Sequence, residues 1–384
     1  MKLCSKDECT GCTICSCVCP FGAIEMKENE RGFKYPIINE AKCKKCGLCD
    51  KVTSNLNSWL ENSEHTKKYA RIYAVKNKDE NKRKESQSGG FFYSLAEVII
   101  ESGGVVYGAA YNDNLDVEHI KASDIETLNK IRGSKYVQSD LKNCMSEVIE
   151  DLNNNKKVLF SGTPCQIAAI ETLVDFKKIN KDNLFTCDII CHGVPSPKIY
   201  RSFLEFLEKK YNSNAIDVNL RNKKISGWHN YVETVKFANG KTYKGKIYAD
   251  LFFSNLCLRR SCEQCKYTKE NRPGDITCAD CWGIEKIKPN LWNDDNGISL
   301  VLIQTNKGNV IFNSVQKKLD VVGLNDEEYN QPQLNHSTNT PKLKRKFWND
   351  YSKKDFEKVL KKYTIYGGNK FKLKRKVLKK LKKW

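Results

Sequence analysis

Apolar residues along this chain come in two alternating rhythms. Phe91, Phe92, Leu95, Val98 and Ile99 recur at helical spacing behind Ser86-Gln87-Ser88-Gly89-Gly90, and Gly103-Gly104 end the run. Val105 to Tyr111 follows as a continuous apolar stretch and predicts a buried strand. Val158-Leu159-Phe160 predicts another strand, with Ile167, Ala168, Ile170, Leu173 and Val174 on the helix after it. Phe185 to Ile190 predicts a further strand that ends at Cys191-His192-Gly193. Such alternation gives an α/β domain with a largely parallel sheet, in which ligands gather where strands end and helices begin. Residues 230–250 predict a hairpin turning at Asn239-Gly240, and Ile298 to Gln304 a last strand.

Between and beyond these elements the chain is polar. Residues 76–85 are charged and predict a solvated loop, and residues 325–341 are poor in core formers. Residues 370–384 are a lysine-rich run in which Phe371, Val377, Leu378, Leu381 and Trp384 can share one helical face. That face suits an anionic membrane surface at the inner side of the cell membrane, and a solvated lysine tail fits the composition as well. The net charge is +20 over 384 residues. From Pro341 onward there are 18 Lys or Arg against three acids, so the remaining body is near +5. The basicity belongs to the tail, and no nucleic-acid partner is expected from it. No stretch is long and apolar enough to span a bilayer and no signal-peptide core precedes the first cysteines, so a cytoplasmic protein is expected.

The cysteines change the picture. There are 18, nine of them in the first fifty residues, and without an export signal they point to metal or redox duty rather than disulfides. Cys9, Cys12, Cys15 and Cys19 fall as C-x2-C-x2-C-x3-C with Pro20 following; Cys43, Cys46 and Cys49 repeat the first three positions, but Thr53 stands at the fourth. This is bacterial iron–sulfur spacing, in which the fourth cysteine of one run serves the other cluster. Zinc seldom uses three C-x2-C steps in succession. With that exchange, Cys19 joins Cys43, Cys46 and Cys49 in a complete [4Fe–4S] site, and Cys9, Cys12 and Cys15 lack a fourth thiolate. A three-iron cluster, rescue by Cys4 or Cys17, or no cluster there are the outcomes left open. Short strands on either side of Arg31-Gly32 predict a small βαββαβ-type unit over residues 1–60. Farther on, Cys262-x2-Cys265 and Cys278-x2-Cys281 read as zinc knuckles or as part of a further iron–sulfur site completed by Cys165 and Cys191; Cys257 lies close by in sequence.

Eight motifs in consistent order then carry a resemblance: CTGCTICSCVCP, SQSGGFF, GGVVYGAAY, IRGSKYVQS, SGTPCQIAAI, DIICHGVPSP, LCLRRSCEQCKY and DITCADCWGIE. Over roughly residues 1–320 the chain resembles the beta subunit of coenzyme F-420 hydrogenases and dehydrogenases, in the form with a fused N-terminal ferredoxin domain. The resemblance implies a ferredoxin-like domain at 1–60, a flavin-binding α/β domain in two parts at 85–155 and 156–320, and a polar linker with a basic tail at 321–384. It implies FAD, with Ser88, Gly89, Gly90, Ser134, Lys135, Tyr136, Gly162, Thr163, Pro164 and Gln166 near it. Lys135 would neutralise a phosphate or the reduced ring. It also implies a [4Fe–4S] cluster beside the flavin on Cys165, Cys191, Cys262 and Cys265, with Cys257 in reserve. Read without the resemblance, SGG and SGTP are turn and cap residues.

The expected function is an oxidoreductase that passes electrons between clusters and a two-electron substrate at the flavin. Coenzyme F-420 is one such substrate, and bacterial relatives also leave room for one in cell-surface polysaccharide synthesis. The partner is a ferredoxin or a catalytic subunit. A non-catalytic electron-transfer subunit is the alternative, and a zinc-binding nucleic-acid protein the minor one. His192 is a proton donor near the flavin or a hydrogen-bonded structural residue.

Overall fold

The structure, a computed structural model, describes residues 3–62, 71–291, 294–329, 331–368 and 371. The lysine-rich run expected at 370–384 therefore lies outside the described residues except for Phe371. Among the described residues no helix is long and apolar enough to cross a membrane.

The cysteine module opens with a short helix, Ile14–Cys17, followed by β1 (Ile24–Glu28) and β2 (Lys34–Ile38), which pair antiparallel around Gly32, and a helix at Leu48–Asn62. Gly32 takes φ 80°, as the turn requires. The outer strands of the expected βαββαβ unit do not form: the first knuckle is loop and the second is followed directly by helix.

The main sheet contains β3 (Arg71–Asn77), β4 (Val105–Tyr111), β5 (Val117–Ala122), β6 (Val158–Gly162) and β7 (Leu184–Ile189). A separate three-stranded sheet is formed by β8 (Ala215–Asn219), β9 (Glu233–Phe237) and β10 (Thr242–Gly245), the last two being the expected hairpin with Gly240 at φ 81°. β11 (Ile276–Asp280), β12 (Ser299–Ile303) and β13 (Leu319–Leu324) complete the main sheet in the order β13-β3-β12-β11-β7-β6-β4-β5. Only its centre is parallel, with β4, β6, β7 and β11 side by side; β5, β12, β3 and β13 join antiparallel. The sheet is thus mixed rather than largely parallel.

Val158, Leu159 and Phe160 are fully buried, as is every side chain of β12 to within a few per cent, so both sheet faces are covered. The helix Pro164–Phe176 covers one face. Pro164 occupies its first position, and Gln166 reaches back so that its Oε1 accepts the Thr163 N–H at 2.9 Å. Burying each large apolar side chain of this core contributes about 1.5–3 kcal/mol.

Two charged segments are more ordered than their polarity predicts. Residues Glu80–Glu85 are a helix, not a loop: Asp79 accepts the Asn81 and Lys82 N–H groups, and buried Arg83 forks onto Asp294 at 2.8 Å. Helices Lys344–Lys353 and Phe356–Tyr363 bury Phe347, Trp348, Val359, Leu360 and Tyr363 against the helix Pro197–Tyr211 and its neighbours. Most of their lysines face outward, but Lys344 is buried and donates to the Leu258 carbonyl at 2.8 Å.

Candidate functional site

Two cavities lie in the cysteine module. The outer is lined by Cys19, Cys43, Cys46 and Cys49 among Phe21, Ile24, Ile38 and Leu48. Lys45 and Gly47 at positive φ, 53° and 77°, curl the second run so that its sulfurs converge. The Lys45 N–H donates to Cys43 Sγ at 3.4 Å and the Ala23 N–H to Cys19 Sγ at 3.3 Å. Such N–H donors stabilise thiolates and cluster sulfurs alike. Cys46 is exposed, so this cavity opens at the surface.

The inner cavity is lined by Cys4, Cys9, Cys12 and Cys15 with Thr13, Thr53, Leu56 and Tyr267. Gly11 at φ 74° and Thr13 at φ 63° shape the first run. Here the main body reaches in. Arg259 is fully buried; its Nε donates to the Cys9 carbonyl at 2.7 Å, its Nη2 to the Lys34 carbonyl at 2.9 Å and to Cys9 Sγ at 3.5 Å. Its Nη1 donates to Gln138, whose amide in turn donates to the Thr10 carbonyl. A hydrogen bond with the Cys4 thiol, opposed by burial and aided by Arg259, draws the Cys9 pKa down to about 6. Burial and the neighbouring sulfurs push the thiols of Cys12 and Cys15 up. Cys17 does not line the cavity and its sulfur lies 3.9 Å from Thr13 Oγ1.

A third thiol group forms at the carboxyl edge of the main sheet. β6 and β7 are parallel neighbours, so Cys165 and Cys191 emerge side by side at their ends. A bridge between Pro195 and Leu258, with the Arg259 N–H donating to the Val194 carbonyl, lays the Arg260–Gln264 turn against the loop after β7. Cys262 Sγ accepts the Val194 N–H at 3.5 Å. Burial first, and then Cys262, Cys165 and Cys265, push the Cys191 thiol far up. Burial pushes Cys165 up to about 12, with Cys265, Cys262 and Cys12 adding to it. Tyr267 lines the inner cavity and packs in the same core cluster as Cys12, Cys15, Cys165 and Cys265. Buried Arg272 fixes it by donating to the Tyr267 and Ile189 carbonyls at 2.7 and 2.6 Å.

The knuckle pairs do not meet. Cys278 Sγ lies 3.4 Å from Cys187 Sγ and Cys281 is buried beside Trp228 and Ile284, whereas Cys265 packs on a different core cluster. Among the described residues no three His, Cys, Asp or Glu side chains converge tightly enough for a single ion. A cubane cluster is larger and holds its thiolates farther apart. Cys257, the reserve ligand, is fully buried in the other core cluster and its thiol faces the Leu251 carbonyl at 3.6 Å.

The residues expected at the flavin part company. Gly162, Thr163, Pro164 and Gln166 lie at the edge beside Cys165, with Gln166 Nε2 donating to Ser139 Oγ at 3.0 Å. Ser88 and Gly89 are engaged internally: Ser88 Oγ donates to the Ile298 carbonyl, the Gly89 N–H to Ser299 Oγ, and a Cβ on Gly89 would meet the Val75 carbonyl at 2.2 Å. Gly90 starts the following helix at φ 82°. Ser134 is exposed. Lys135 cannot neutralise a phosphate in this arrangement. Its buried ammonium donates to the carbonyls of Lys130, Ile131, Arg132 and Gly133 at 2.8–3.1 Å. Burial pulls its pKa down to about 7, and the four carbonyls favour the charged form. His192 holds Asn255 at 2.7 Å and Gln333 at 3.3 Å, one on each ring nitrogen, which is the structural role.

Apart from Tyr136, one group of residues had no sequence signal. Tyr136, Tyr231, Phe253 and Trp282 gather at the same sheet edge, with Tyr231 4.7 Å from Phe253 and 6.3 Å from Tyr136 between ring centres. Phe253 is 41% exposed. Arg221 lies 4.4 Å over Tyr231 and 5.0 Å over Trp282, and pairs with Asp280 at 2.7 Å.

Residues 155–327, which hold the whole sheet-edge thiol group, match the family model for the C terminus of the coenzyme F420 hydrogenase/dehydrogenase beta subunit. Over that stretch the chain is similar to this family. An F(420)H(2) dehydrogenase subunit from Methanosarcina mazei is 22% identical over 48% of this chain and 53% of its own length. The coenzyme F420-dependent sulfite reductase of Methanocaldococcus jannaschii is 25% identical over 83% of this chain and 47% of its own length. The chain thus spans about half the length of these curated relatives. A chain of the F420-reducing [NiFe] hydrogenase complex from Methanosarcina barkeri, solved as a xenon derivative, is similar with a TM-score of 0.48 and 20% identity, over 78% of this chain and 94% of that chain.

Proposed function

We propose that the chain is an electron-transfer oxidoreductase subunit that links three iron–sulfur sites to FAD at the sheet edge, with coenzyme F-420 as the two-electron substrate. The observation that carries this is the succession of three thiol groups. It runs from the outer cavity, with its exposed Cys46, to the inner one, with buried Cys9, Cys12 and Cys15, and through Tyr267 to Cys165 and Cys265 beside the ends of β6 and β7, where Cys191 and Cys262 also lie. Each donor set fits a cubane cluster: four thiols, few or no hard ligands, and backbone N–H groups aimed at sulfur. A bound flavin would exchange a hydride with its substrate and single electrons with a cluster beside it.

The chain's own residues bind, orient and exclude water. Cys46 and its neighbours present the outer site to a redox partner, while Cys9, Cys12 and Cys15 at the inner one are buried, with Arg259 beside Cys9. At the sheet edge the aromatic surface of Tyr136, Tyr231, Phe253 and Trp282 suits a planar ring system. The Gly162–Gln166 turn offers helix-start N–H groups to an anion. The polar atoms of Lys135 and His192 are engaged within the protein.

A subunit role within a larger enzyme is favoured by the relatives, which are named as subunits or as longer reductases and extend beyond this chain. Anaerobically purified chain mixed with reduced F-420 is expected to oxidise it when an artificial one-electron acceptor is present, and released flavin should be FAD. Retention of reduced F-420 by chain loaded with iron and flavin would exclude it as the substrate.

A further inference from the structure

The second cysteine run ends at Thr53, where its pseudo-repeat partner has Cys19, so the inner site lacks the ligand its spacing demands. We infer that Cys4 is the fourth thiolate of the inner site and replaces the ligand that Thr53 cannot supply. The inference rests on the iron–sulfur reading of the module.

Position comes first. Cys4 lines the same cavity as Cys9, Cys12 and Cys15. The chain between them is a compact turn in which the Glu8 and Cys9 N–H groups donate to the Ser5 carbonyl at 3.1 and 2.9 Å and Ser5 Oγ donates to Glu8 at 2.7 Å. The turn carries Cys4 back over the first run.

Thr53 also lines the cavity, but its hydroxyl is already used. It donates within its own helix to the carbonyls of Cys49 and Asp50, both at 2.9 Å. A hydroxyl oxygen is moreover a hard, weakly acidic donor for iron. Cys17, the other spare thiol nearby, faces Thr13 and not the cavity. One thiol remains that has both the position and the chemistry. On binding, the Cys4 S–H bond gives way to S–Fe and its proton leaves to solvent, as for any thiolate ligand.

The test uses the full chain, purified anaerobically, with iron and acid-labile sulfide counted per chain and EPR spectra of the oxidised and reduced protein. Cys4→Ser is expected to lose about one iron and show a three-iron signal, or to lose about four irons with the whole inner cluster. Cys17→Ser should match wild type. Thr53→Cys placed in the Cys4→Ser background should restore the lost iron, which separates a missing ligand from a misfolded module. Wild-type iron content and spectra in Cys4→Ser, or the same loss in Cys17→Ser, would overturn the assignment while leaving the iron–sulfur reading intact. Wild-type chain without iron or sulfide would remove both.

Discussion

The two cysteine runs share a spacing and differ in almost everything else. The outer cavity is built from residues 19–49 alone, with its N–H···S donors contributed by Ala23 and Lys45 and with Cys46 in solvent. The inner cavity is completed from outside the run: by Cys4 before it, Tyr267 from the family domain, and the guanidinium of Arg259 at 3.5 Å from Cys9 Sγ. Spacing therefore sets which sulfurs can converge, and tertiary surroundings set how each group is tuned. A site in contact with solvent can exchange electrons with a partner. A site whose thiols are buried beside a buried cation can pass them inward, because nearby positive charge and burial shift its potential in ways the outer site does not feel.

Perturbations of the two regions should separate accordingly. The largest effect is expected beyond both cavities, in Cys191→Ser. Losing a sheet-edge thiolate should remove about a third of the iron and stop electron transfer to the flavin, yet leave the EPR of both module sites in place. Loss of the module signals as well would mean the three groups are not independent. Next is Arg259→Met, which strips the Cys9 and Lys34 carbonyls of their donor. It should cost about 3 kcal/mol in denaturant unfolding and lower the reduction potential of the inner site alone, read by redox titration. An equal shift at the outer site would break the contrast between them. Gly11→Ala is smaller. A Cβ there at φ 74° would meet Gln138 Nε2 at 2.8 Å and Arg259 Nη1 at 3.1 Å, so a loss of about 1–2 kcal/mol is expected, with the outer site unaffected. Thr53→Val should be the mildest, below about 1 kcal/mol with iron content unchanged, because its hydroxyl serves only its own helix.

Much of this was readable in the chain. The outer group and the pairing of Cys19 with the second run follow from spacing, and Cys165 and Cys191 follow from their place after apolar strands. Other parts were hidden for physical reasons. Arg259 and Arg260 are adjacent and alike in sequence, yet one is buried against the first run while the other pairs with Asp7 at 2.6 Å in solvent. Phe347, Trp348, Val359, Leu360 and Tyr363 have helical spacing, but the surrounding lysines give the segment the composition of a tail. The antiparallel half of the main sheet depends on partners far apart, as in β3 against β12 and β13, and no local pattern encodes that choice. SGG and SGTP serve as turn and cap, as their residue types predict. The aromatic edge joins Tyr136, Tyr231, Phe253 and Trp282 from four separate segments, so only folding reveals it.

The most direct test is elemental. Iron, acid-labile sulfide and zinc should be measured per chain on anaerobically purified full-length protein. Three cubane sites predict about twelve iron and twelve sulfide with no stoichiometric zinc. One or two zinc ions per chain, without iron or sulfide, would contradict the account.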